Sequence, residues 1–179
     1  AIAAGLTPSV RYGYVRREQA NELAVYGRGL EALDKPEYQR VITSIHFNFI
    51  VISSVLLDTS RLLKFEGLSS IVFSSNQIFT FSQLEALQQL PALTSLTIVD
   101  NPICEMCSAL RVQAIQCLPK LQTFNNKDVV EAERQLASQI FAPFEKLTRS
   151  SGLSRSGDDD KTTCQIANLV DELTSHACA

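Results

Sequence analysis

Two cysteines three residues apart, Cys104 and Cys107, come nearest to a chemical motif in this chain of 179 residues. A C-x-x-C pair at a helix start after a strand is where a thiol pKa falls and redox exchange becomes feasible. A simpler account is packing: Cys104 follows the apolar Ile103, and Cys107 falls in a segment returning to a core, where a small soft side chain fits well. A zinc site would need two more ligands; only Cys117 is near, and the chain has two histidines. We therefore expect no catalytic residue, no cofactor and no metal, with thiol redox chemistry through Cys104 and Cys107 as a distant alternative. His46, between Ile45 and Phe47, has no acid or nucleophile motif beside it and reads as a surface or partner contact. No Gly-rich phosphate loop, nucleophile elbow or paired-carboxylate pattern occurs.

The elements that carry these residues are bounded by composition. The chain is 45% hydrophobic and 20% charged with a net charge of −3, an ordinary globular balance. Its most apolar stretch, Ile42 to Leu57, is shorter than the roughly 20 residues of a membrane-spanning helix and contains His46 and Asn48. The 16 cations are scattered and give no single-sign field for nucleic acid. Five cysteines, an odd number spread along the chain, suit a reducing compartment better than a disulfide framework. The N-terminus resembles no export signal and lacks an initiator Met, so we expect a processed chain or part of a longer one.

A period organises the middle of the chain. Residues 68–78, LSSIVFSSNQI, and 93–103, LTSLTIVDNPI, both fit L-x-x-L-x-L-x-x-N-x-L with Ile or Phe admitted at the apolar sites. The anchors are Leu68, Ile71, Phe73, Asn76, Ile78 and Leu93, Leu96, Ile98, Asn101, Ile103. Weaker copies flank them: Leu23, Val25 and Leu30; Ile42, Ile45, Phe47 and Ile52; and Leu118, Leu121 and Phe124. Leu23, Ile45, Ile71, Leu96 and Leu121 step by 22, 26, 25 and 25 residues. This predicts an α/β leucine-rich-repeat solenoid of four to five irregular repeats over 23–128, with parallel strands on its concave side, short helices on its convex side and helical caps.

Within each unit, alternation sends Leu96 and Ile98 to the core and Ser95, Thr97 and Val99 outward. The Asn belongs where the chain leaves the strand, because its amide can satisfy backbone groups the ladder no longer pairs. Arg28 and Ile50 stand at the Asn site of the first two units, so those turns must be capped otherwise. Convex helices are expected over Ser82–Leu90, ending before Pro91, and over the runs Val55 to Phe65 and Met106 to Leu118.

Solenoid ends must be covered. Thr7-Pro8 reads as N-cap and first helical position of a cap over 1–22, helical to about Ala20. A second capping helix is expected over 129–147, with Val130, Arg134, Ala137, Ile140, Phe141 and Phe144 on one face and Pro143 limiting it. Residues 148–163, with Asp158-Asp159-Asp160 and the Arg-Ser pairs, read as flexible linker. In 164–179, Ile166, Leu169, Val170 and Leu173 recur at i, i+3, i+4 and i+7, an amphipathic helix suited to docking on the repeats or on a partner.

The stretch IVDNPICEMCSALRVQAIQCLPKLQTFNNKDVVEAERQLA resembles the closing repeat and cap of short leucine-rich-repeat proteins of cilia, microtubules and the snRNP A-prime type. The resemblance rests on Asn101, Pro102, Ile103, Arg111, Leu118, Pro119, Leu121, Val129, Glu131, Glu133 and Arg134. The runs VYGRGLEAL, ITSIHFNFIVISSVL, FEGLSSIVFSSNQIFTFSQLEAL, LTSLTIVDNP and AERQLASQIFAPF resemble the C-terminal half of the leucine-rich-repeat subunit of the tubulin polyglutamylase complex, a family whose chains are longer. That resemblance implies a non-catalytic scaffold subunit of a cytoskeletal or ciliary complex, cytoplasmic and located at the cytoskeleton, cilium or basal body. Its partners would be other protein subunits, with tubulin or a microtubule-associated assembly among them. The alternative keeps the fold and grips an RNA-recognition-motif protein, as the snRNP resemblance implies.

A scaffold needs a face. The outward strand positions are Glu22, Ala24 and Tyr26; Ser44, His46 and Asn48; Ser70, Val72 and Ser74; and Ser95, Thr97 and Val99. This small, polar, nearly uncharged stripe suits a snug protein partner, whereas direct nucleic-acid contact would want Lys and Arg. The tail residues Ile166, Leu169, Val170 and Leu173 form a second candidate contact.

Overall fold

The computed structural model describes residues 14–27, 29–51 and 59–151. They form a mixed α/β arrangement around one seven-stranded sheet whose strands neighbour one another in chain order. The strands are β1 (Tyr14–Gln19), β2 (Glu22–Tyr26), β3 (Ser44–Asn48), β4 (Ser70–Ser74), β5 (Ser95–Val99), β6 (Thr123–Phe124) and β7 (Lys127–Asp128). From β2 to β6 every pairing is parallel, while β1 and β7 close the two ends antiparallel.

The register follows the period. Leu23 pairs with Ile45, Ile45 with Ile71, and Ile71 with Leu96. β4 alternates cleanly: Ile71 and Phe73 are fully buried between half-buried Ser70, Val72 and Ser74, whereas the outward Ala24, Ser44 and Thr97 of β2, β3 and β5 are themselves buried. Phe47 and Phe73 stack across neighbouring strands with ring centroids 5.4 Å apart and planes inclined by 16°. Thus an equivalent residue from each unit adds to one continuous core, which also takes in Leu33, Leu62, Leu84, Leu87, Leu110 and Ala114 from the connecting segments.

The returns are short. Phe81–Gln89 is a 3-10 helix with Phe81, Leu84 and Leu87 buried, and it ends ahead of Pro91 as expected. The Oε1 of Gln83 reaches back to accept the backbone N–H of Phe79 at 2.8 Å and of Thr80 at 3.1 Å, which supplies donors at the helix start with a partner. Thr59–Leu63 is helical, whereas 52–58 lies outside the described residues. The run expected as one helix from Met106 to Leu118 is instead two, Pro102–Met106 and Leu110–Cys117. The break lets Cys107 and Ala109 turn into the core, where each is 7% exposed.

Four further expectations are corrected. Tyr14–Gln19 is a strand rather than the end of a helical cap: the two-residue connection Ala20-Asn21 folds it back on β2, pairing Val15 with Val25 and Gln19 with Glu22. The expected start of that cap, Thr7-Pro8, lies outside the described residues. Phe124, not Leu121, pairs with Leu96, so the last step is 28 residues, and buried Leu121 instead precedes the strand as Leu93 does. The C-terminal helix spans Glu131–Ser151, past Pro143 and into the expected linker; a proline inside a helix costs one backbone hydrogen bond and need not end it. Within it Ala137 faces the core, but Val130, expected on the same face, precedes the helix and is 54% exposed.

Candidate protein-binding face

Connecting helices cover one side of the sheet, and the other side is built from the outward strand positions in three rows. Glu22, Ser44, Ser70 and Ser95 are in register, as are Ala24, His46, Val72 and Thr97, and Tyr26, Asn48, Ser74 and Val99. The expected face residues are therefore brought together. Tyr26, His46, Asn48, Ser70, Val72, Ser74 and Ser95 are half-buried, and Val99 is exposed. Ser44 and Thr97 do not offer the accessible contacts expected of them: each is 8% exposed, flanked in register by Glu22 and Ser70 and by Val72.

Charge is nearly absent from this face. Glu22 is the one Asp, Glu, Lys or Arg in β2 to β5. Hydrogen-bonding groups remain: the Asn48 amide donates to the His46 carbonyl at 3.3 Å, and Thr123 Oγ1 donates to Ser95 Oγ at 2.8 Å. Short side chains leave the strand backbone close to the surface, so a partner could lie flat against it with few side chains to order.

The face keeps its shape through asparagines behind its far edge. Asn101 is buried, and its Oδ1 accepts the backbone N–H of Asn76 at 2.9 Å and of Ile78 at 3.2 Å; its Nδ2 donates to the carbonyls of Phe73 and Val99. Asn76, also buried, serves the preceding unit in the same way, accepting the N–H of Ile50 and donating to the carbonyl of Phe47, both at 2.8 Å. That settles how a unit with Ile50 at the Asn position is capped: by its neighbour's amide. Asn125 continues the series by accepting the N–H of Ile98 at 2.8 Å, a role its sequence position did not suggest.

The residue after each of β2 to β6 turns the chain by adopting a left-handed backbone. Gly27, Phe49, Ser75, Asp100 and Asn125 have φ between 49° and 56°. The N–H groups of Gly27, Phe49 and Ser75 then reach the carbonyls of Asn48, Ser74 and Val99, each at 3.2 Å. Only glycine adopts this conformation without steric cost, so the geometry is imposed by the ladder and the asparagines.

The closing turn is held by Arg111. Its guanidinium takes the Glu133 carboxylate in two hydrogen bonds, Nε to Oε1 at 2.6 Å and Nη2 to Oε2 at 2.9 Å, and donates to the carbonyls of Phe124 and Asp128. Arg134 donates to the carbonyls of Pro119 and Leu121. The bond from Arg111 holds the Glu133 carboxyl below its ordinary range and the same contact raises the Arg111 pKa, burial opposing both. Sequence resemblance marked Arg111, Glu133 and Arg134 without showing that they join the last return to the final helix.

The cysteine pair is split. Cys107 packs in the core with its Sγ 3.8 Å from Gln113 Oε1, whereas Cys104 is exposed and its Sγ donates to the Ile98 carbonyl at 3.4 Å. Among the described residues no group of three or more His, Cys, Asp or Glu could hold a metal, and no helix is long and apolar enough to cross a membrane. Ile166, Leu169, Val170 and Leu173 lie outside the described residues.

No protein-family profile matches the sequence, and no curated protein matches it. Among solved structures the chain is similar to one in the Drosophila melanogaster SNF/U2A' complex, at 11% identity and a TM-score of 0.49, over 80% of this chain and 95% of that one. It is also similar to one in the structure of the Chaetomium Mex67:Mtr2 subunits, at 15% identity and a TM-score of 0.47, over 69% of this chain and 92% of that one.

Proposed function

We propose that the chain is a leucine-rich-repeat solenoid acting as a non-catalytic, protein-binding scaffold, with the open side of β2 to β5 as its docking face. The carrying observation is the make-up of that face: three registered rows of small, hydrogen-bonding and apolar side chains with one formal charge. A polyanion would be met by Lys and Arg, whose release of counterions drives such binding. A neutral polypeptide surface finds hydrogen-bond partners and apolar contact there at little desolvation cost.

The assembly it serves, in this reading, is a cytoskeletal or ciliary complex of the tubulin polyglutamylase kind, the class to which its sequence runs bear resemblance. Affinity purification of the chain from cells, followed by mass spectrometry, tests both levels. Tubulin-modifying or axonemal subunits are the expected company. Recovery of splicing factors with an RNA-recognition motif would replace the assembly and keep the scaffold, and recovery of no protein partner would remove the scaffold itself.

A further inference from the structure

One residue of the left-handed series differs in kind from the others. Gly27, Ser75, Asp100 and Asn125 are glycine or short polar residues, mostly the types that enter this conformation at least cost. The equivalent position after β3 holds Phe49, at φ 55°. Its side chain adds nothing to the core: at 69% it is the most exposed large apolar side chain among the described residues. Neither backbone preference nor burial accounts for a phenyl ring here, and a strained backbone carrying an unburied apolar group points to a use outside the fold. Its place is the end of the open face. Phe49 directly follows Asn48, which is in register with Tyr26 and Ser74. Its own N–H donates to the Ser74 carbonyl at 3.2 Å, and the next N–H, of Ile50, is held by Asn76 Oδ1 at 2.8 Å. The Gly27 N–H donates to the Asn48 carbonyl, also at 3.2 Å. The turns on either side, about 5 Å away, are thus those of Gly27, without a side chain, and Ser75, with a short one.

We propose that Phe49 is the anchor of the open face: its ring enters an apolar socket on a partner protein whose uncharged, hydrogen-bonding surface lies against Tyr26, Asn48 and Ser74. This rests on the reading of β2 to β5 as the docking face and adds to it the partner's chemistry. A phenyl ring forms no hydrogen bond, so a charged surface pressed on it would lose water without return. A recess lined by aliphatic or Met side chains gains the ring's apolar area instead. The ordering cost is low, because the backbone on both sides of the ring is already fixed and only its two torsions remain to be set. Aromatic anchors seated in such pockets carry a disproportionate share of binding.

The test compares Phe49→Gly with the double variant Ser74→Glu, Val99→Glu in the full chain, the partners being those proteins whose co-purification the double variant reduces. Phe49→Gly should lower their recovery roughly tenfold or more while Tm stays level or rises, because glycine takes the left-handed backbone freely. A purely structural role would lower both together. Met106→Ser, at a side chain 61% exposed on the helix Pro102–Met106, should leave recovery unchanged. With Phe49 replaced by photoreactive p-benzoylphenylalanine, irradiation should cross-link the same partner at apolar side chains. Full recovery with Phe49→Gly, where the double variant loses its partners, overturns the anchor and leaves the face standing. Full recovery with the double variant removes the face, and the anchor falls with it. A fall in Tm beside the lost recovery, an equal loss with Met106→Ser, or cross-linking to a second copy of this chain also overturns the proposal.

Discussion

The Oδ1 of Asn101 lies 2.9 Å from the backbone nitrogen of Asn76, while the Oδ1 of Asn76 lies 2.8 Å from the backbone nitrogen of Ile50. Each buried amide thus closes the turn of the unit before its own. Replacing Asn101 by Ala leaves the N–H groups of Asn76 and Ile78 and the carbonyls of Phe73 and Val99 without these bonds, and an unmet buried group costs about 1–3 kcal/mol. Urea unfolding of Asn101→Ala and of Asn76→Ala should each show a loss of about 2–4 kcal/mol. A loss near zero would mean that water replaces the amide and that the ladder does not depend on it.

The core makes a parallel demand. Phe73 is fully buried and stacked on Phe47, so Phe73→Ala should cost about 3–5 kcal/mol through lost burial and the cavity left behind. Calorimetry reads the effect as a lower Tm.

The residues after the strands give an opposite sign. Ser75 holds φ at 56°, a conformation that costs a non-glycine residue roughly 1–2 kcal/mol. Ser75→Gly should therefore stabilise the fold by about 0.5–1 kcal/mol once the greater freedom of the unfolded glycine is subtracted. Gly27→Ala, at φ 55°, should destabilise by about 1 kcal/mol. If both changes moved the urea midpoint in the same direction, backbone strain would not be the governing effect.

At the C-terminal end, the pH dependence follows from Glu133. Its folded-state pKa lies below the ordinary value because Arg111 hydrogen-bonds the charged carboxylate. The stability this provides is present above the unfolded carboxylate pKa and is lost as pH falls through the lower folded one. Arg111 is raised from an already high value and stays charged throughout. The Tm advantage of wild type over Glu133→Gln should thus be full near pH 7 and shrink on acidification below about pH 4. An advantage that grew toward acid would contradict the pairing.

Sequence spacing carried the parallel register from Leu23 through Ile45 and Ile71 to Leu96, because one inward residue per strand must meet its equivalent in the next unit. It failed at Leu121, since L-P-x-L reproduces the apolar spacing while three extra residues in the two-helix return move Phe124 into the pairing. It failed also at Tyr14–Gln19, where Thr7-Pro8 suits a helix start upstream but the turn at Ala20-Asn21 and the β-branched and aromatic residues on both sides favour a hairpin. The candidate face was legible as a set of outward positions. The burial of Ser44 and Thr97 was not, because exposure is decided by what packs around a residue from other segments, and the reach of Asn76 and Asn101 into preceding units is likewise a relation between distant segments.

Docking on the open face is best probed at Ser74 and Val99, adjacent across β4 and β5 and accessible. The decisive measurement is quantitative co-purification of protein partners with wild type and with Ser74→Glu, Val99→Glu, alongside the Tm of both. If partners dock on this face, their recovery falls roughly tenfold or more, as burying unpaired charge in an interface demands, with Tm nearly unchanged. Full recovery with an unchanged Tm would contradict it and move binding off the open face.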